Sequence, residues 1–163
     1  MSAAFDRVKS QSHLEAALDL AHTGSFKRAQ EEFALAVQAD PSWEKPWSKC
    51  LEMLTDLGES GEALAWLLRL SEQPPEASPP LVSVLYDLLC SKDGYRDRSH
   101  LIRVAKLSDD VADKIEESEP AMAGHIRKIV SDYARTLWNN QEIRIKELEA
   151  SGDYDASKIP KSG

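Results

Sequence analysis

The chain has 163 residues, of which 42% are apolar and 29% charged, enough to bury one core in one domain with an extension. Its 28 acidic against 20 basic residues leave a net charge of -8, which argues against nucleic acid or an anionic membrane surface as partner, since both require a basic footprint. No apolar run reaches the ~18 residues that cross a bilayer, and the first residues lack the apolar core of a signal peptide, so the expected location is cytoplasmic.

In chain order, residues 1–9 carry little periodicity and are expected to fray. A first helix follows from residue 10, with Ser12 and Glu15 spaced as a capping box and Leu14, Ala17, Leu18 and Ala21 at helical spacing. Gly24 ends it. A second helix spans 25–39 and stops at Asp40-Pro41, because a residue before proline disfavours helix. A third begins between Ser42 and Pro46, carries Trp47, Cys50, Leu51 and Leu54 on one stripe, and closes at Gly58. A fourth covers 59–71. A stiff, proline-rich connection (73–80) leads to a fifth helix from Pro80 to about Ser91, then a turn at Lys92-Asp93-Gly94. A sixth is expected over 98–107. Ser108-Asp109-Asp110 reads as an N-cap cluster for a separate short helix, 110–118. Pro120 then opens a long helix to about residue 150, where Ile126, Val130, Tyr133, Leu137, Arg144 and Leu148 form a seam able to pack on the rest or to pair with another helix. Residues 151–163 are expected to be disordered. No strand pattern occurs. Cys50 and Cys90 have no motif spacing and read as buried thiols.

Two stretches repeat at a spacing of 34. Ala17, Leu20, Gly24, Ala29, Phe33, Ala36 and Pro41 are followed by Leu51, Leu54, Gly58, Ala63, Leu67, Leu70 and Pro75. Leu101 and Val104 continue the echo, but Asp97 stands where a small residue is expected. On these residues the unit resembles the tetratricopeptide repeat (TPR) family, with two clear units and a degenerate third. The resemblance implies an all-α fold, a right-handed superhelical array of antiparallel helix-turn-helix repeats over 10–107, with the long C-terminal helix in an extension over 108–150. It also implies that the first helix of each pair lines a concave face. Carried over residue by residue, that face holds Leu14, Leu18 and His22, then Lys45, Lys49 and Glu52, then Val82, Tyr86 and Leu89. The carboxylate clamp of some relatives would need more basic residues than Lys45 and Lys49, so the expected groove is largely apolar. The same apolar positions also fit a core covered by the last helix. Trp43 and Trp138 are candidate aromatic anchors, and Trp138 fits packing on the array equally well.

No Gly-rich phosphate loop, nucleophile elbow or HExxH is present, and His13, His22, His100 and His125 lack partners at metal-ligand spacing. The expectation is therefore no enzyme, no metal and no cofactor. The expected function is a protein-interaction module — an adaptor, chaperone-like escort or assembly factor — holding a hydrophobic peptide or amphipathic helix of a partner protein. The alternative is a self-assembling structural protein that forms a homodimer through 120–150.

Overall fold

The computed structural model describes residues 5–92 and 96–151. Of the tails expected at 1–9 and 151–163, residues 1–4 and 152–163 lie outside these residues, as does Asp93-Gly94 of the expected turn, while Ser151 ends the last helix. Every regular element described is helical: α1 (Arg7–His22), α2 (Phe26–Ala39), α3 (Glu44–Asp56), α4 (Ser60–Ser71), a 3-10 turn at Pro75–Ala77, α5 (Leu81–Cys90), α6 (Arg98–Ile115) and α7 (Pro120–Ser151). Consecutive helices pack together, and α3 packs on α5, α4 on α6 and α5 on α7.

The first two hairpins turn in the same way. Gly24 and Gly58 have φ of +85° and +75°, a left-handed conformation that costs glycine nothing. In each, the N–H after the glycine returns to a carbonyl five residues back: Ser25 to Leu20 at 2.8 Å and Glu59 to Leu54 at 2.9 Å. This six-to-one bond closes a helix C-terminus and starts the next helix at once. Behind these turns Ala29 and Ala63 are buried, as are Phe33 and Leu67, so residues 34 apart share one environment. Trp47 and Trp66 meet edge to face at 5.6 Å between α3 and α4, and the Trp47 indole donates to Pro41 O at 3.0 Å.

Three expectations are corrected. The chain is helical from Arg7 rather than residue 10, because Asp6, not Ser12, caps α1 by accepting from the Lys9 N–H at 2.9 Å. Asp6 N–H reaches Ala39 O, and Arg7 pairs with the buried Asp40 at 2.6 Å, so this end is tied to the end of α2. Ser108-Asp109-Asp110 is no cap. Ser108 sits inside α6 with its hydroxyl bonded to Val104 O at 2.8 Å, and the buried row Val104, Leu107, Val111 and Ile115 carries the helix through. The expected helix at 110–118 is the second half of α6, and the division between 107 and 108 falls within it. Cys50 is buried, whereas Cys90 is exposed; both are free thiols.

The third hairpin departs from the 34-residue spacing. Helix α4 begins 34 residues after α2 (60 less 26), but α6 begins 38 after α4 (98 less 60). Asp97, which breaks the small-residue pattern, is the N-cap of α6 and accepts from the His100 N–H at 2.9 Å. Four residues are close to one helical turn, so Val104 still faces the core. His100 is buried, and its Nε2–H donates to Leu88 O at 2.7 Å, pinning the start of α6 to the end of α5.

Candidate functional site

Two grooves adjoin along α3. One, of about 550 Å³, lies between α3 and α5 and is lined by Trp43, Glu44, Lys45, Ser48 and Asp87. The other, of about 390 Å³, lies between α3 and the α1–α2 hairpin and is lined by Leu18, His22, Phe26, Met53 and Leu57. Lys49 and Glu52 border both. They form the ridge, 3.5 Å apart one turn along α3, and Lys92 reaches Glu52 at 4.0 Å and Asp56 at 3.3 Å.

Five of the residues expected on a concave face thus come together, Leu18, His22, Lys45, Lys49 and Glu52, with the candidate anchor Trp43 beside them. Helical spacing explains this, since residues three, four and seven apart share a face. Others do not join them. Leu14 and Leu89 are 2% exposed and belong to the core, which corrects their expected place on a binding face. Val82 is half-buried against the same core, and Tyr86 is exposed on α5 with its hydroxyl in hydrogen-bond reach of the Cys90 thiol. Trp43 stands beneath the Arg7 guanidinium, 4.6 Å from the ring centre. Trp138 lies far along α7 and is 60% exposed, past the last residue of that helix that packs on the core, Tyr133.

With Leu89 in the core, the α3–α5 groove is polar rather than largely apolar as expected. Glu44 Oε1 and Ser48 Oγ are buried there without a hydrogen-bond partner. Burial pushes the Glu44 carboxyl above its ordinary range, the Asp87 carboxyl adds to this, and a hydrogen bond from Ser83 works against it. The apolar surface is in the other groove, at Phe26 and Leu57, each 39% exposed. These two and Met53 were missed in the sequence, although a signal for Phe26 and Leu57 is present: an apolar residue sits one or two positions from each turn glycine. The same three residues border a third space of about 700 Å³ between α2 and α4, with Trp66 and Arg69 on its far wall. A bond from Gln30 Nε2 to Glu62 Oε2, 2.9 Å, bridges α2 and α4 beside it.

Among the described residues no group of three or more His, Cys, Asp or Glu side chains is placed to hold a metal ion, and no helix is long and apolar enough to cross a membrane. In comparisons with known proteins, no family model, no curated protein and no solved structure matches the chain.

Proposed function

We propose that this chain is a TPR-like adaptor that holds an amphipathic segment of a partner protein across α3. The observation that carries the reading is the meeting of Leu18, His22, Lys45, Lys49 and Glu52, all expected on one binding face, and of the candidate anchor Trp43, along two adjoining grooves. The repeated glycine turns and the paired Ala29 and Ala63 support the repeat assignment. The division of chemistry suggests the ligand's character. Apolar side chains of the segment enter beside Phe26, Met53 and Leu57, while charged ones meet Lys49 and Glu52 on the ridge and Lys45 beyond it. A segment that is apolar all round suits the α3–α5 groove poorly, because Glu44 and Asp87 would lose water without gaining a donor.

Site-specific photo-crosslinking tests this. A photoreactive side chain at Lys49, or at Leu18, captures a defined partner segment in cells of the source organism, and the same group at Arg28, exposed on α2, does not. Lys49→Glu with Leu57→Asp abolishes capture while leaving the circular dichroism spectrum intact. Equal capture from positions 28 and 49 sinks the proposal.

A further inference from the structure

The residues of α7 that enter the core or pack against it are Met122, Ala123, Ile126, Ile129 and Tyr133. From Ala134 to Ala150 no residue is buried. This 17-residue stretch extends about 25 Å at ~1.5 Å per residue. Along it Ala134, Trp138, Gln141 and Ile145 fall at spacings of four, three and four, within an arc of about 60° on an ideal helix. Trp138 places a large ring on that stripe.

Beside the stripe runs a row of residues seven apart: Lys128, Arg135, Glu142 and Glu149. Its charges read plus, plus, minus, minus. Turned end for end about its midpoint, the row meets its own image with every charge opposite its counter-charge. Arg135 faces Glu142, and Lys128 faces Glu149. A reversal about a point one residue further along sets Trp138 against Gln141 and Ala134 against Ile145, so stripe and charges agree on register to within about two residues. A parallel pair offers only Arg144 to Glu149 across the seam. The opposite flank, Val130, Leu137 and Arg144, brings no like charges together in the antiparallel arrangement. Among the described residues of one chain Arg135, Glu142 and Glu149 have no ion-pair partner, and Lys128 has only Asp132 at 4.0 Å.

We propose that the stretch of α7 beyond Tyr133 is an antiparallel homodimerisation surface, whose occupant is the same helix of a second copy of this chain. The interface is two-fold symmetric, so each contact is made twice. It leaves both α3 grooves outside the seam, and a dimer presents two of them.

Sedimentation equilibrium of the full chain tests this. The wild type is dimeric at about 100 µM, in the range of a weak specific contact. Arg135→Glu weakens association about tenfold, because two attractive pairs become repulsive at once. The double variant Arg135→Glu/Glu142→Arg restores it to within about threefold, since the swapped row is again complementary to itself. Trp138→Ser abolishes dimerisation, whereas Ile143→Ser, an exposed apolar residue off the stripe, leaves it unchanged. All four variants retain wild-type helicity. A wild type that sediments as a monomer at about 100 µM overturns the proposal. So does a dimer unaffected by Arg135→Glu, which would place the interface elsewhere or make it parallel.

Discussion

Two carboxyls four residues apart show how opposite environments set opposite pH behaviour: Asp40 at the end of α2 and Glu44 at the start of α3. Burial works against ionisation of Asp40, but bonds from Ser42 and from the Arg7 guanidinium outweigh it and hold the group below its ordinary value of 3.8. A carboxyl depressed in the folded state contributes stability above the unfolded value and loses it as pH falls through the folded one. Asp40→Asn is thus expected to cost about 1–2 kcal/mol at neutral pH, with the difference from wild type shrinking below about pH 4. Glu44 runs the other way. Its carboxyl is raised above 4.5 by burial and by Asp87, so its contribution is full below the unfolded value and lost as pH rises through the folded one. Glu44→Gln should therefore raise the melting temperature at pH 7 and have no such effect below about pH 4. Melting curves for both variants across this range check the two signs. A Glu44→Gln gain that grows on acidification would show that the carboxyl is not destabilised by its surroundings.

At the scale of the helix and its turn, the repeat makes a quantitative demand. Gly24 and Gly58 have the same left-handed backbone, and a Cβ built on either meets nothing within 4 Å. The cost of alanine there is backbone strain alone, about 1 kcal/mol, and should be equal at the two sites to within a few tenths. Gly124 also has open space but lies within α7 without a positive φ, so Gly124→Ala is expected to stabilise by about 0.5–1 kcal/mol. Chemical denaturation of the three variants reads all three values. These turns were legible in the sequence because a glycine, a small residue and a large apolar residue recur in step, each for a steric reason. The run through Ser108 was not, because its cap chemistry is local whereas the burial of Val111 and Ile115 depends on α7 and α4 being in place. The site divides likewise. The row Lys45, Lys49 and Glu52 follows from helical spacing, but Leu14 and Leu89 are set in the core by which neighbour each helix meets, and spacing along one helix does not specify its neighbours.

Across the whole molecule, tryptophan occupies two contrasting situations. Trp47 is 1% exposed at the junction of α3 and α4, its ring against Trp66 and its indole N–H bonded to Pro41 O. Truncating it opens a cavity at the centre of the packed helices and removes the donor to the half-buried Pro41 carbonyl, so Trp47→Ala should cost about 3–5 kcal/mol. Trp138 is on the part of α7 beyond the core, and its removal leaves no cavity within one chain. Trp138→Ser should change the stability of the dilute monomer by no more than about 0.5 kcal/mol. The cost should appear only where the chain is concentrated enough to pair. Amide exchange separates the two contributions. In dilute protein the amides of 134–150 exchange far faster than those of α3 or the first turns of α7, because no tertiary burial adds to the helix's own modest stability. As concentration rises, protection spreads through 134–150 in the wild type and not in Trp138→Ser, while α3 stays unchanged in both. Protection of that segment at all concentrations would mean that the chain's own body, rather than a second copy, covers it.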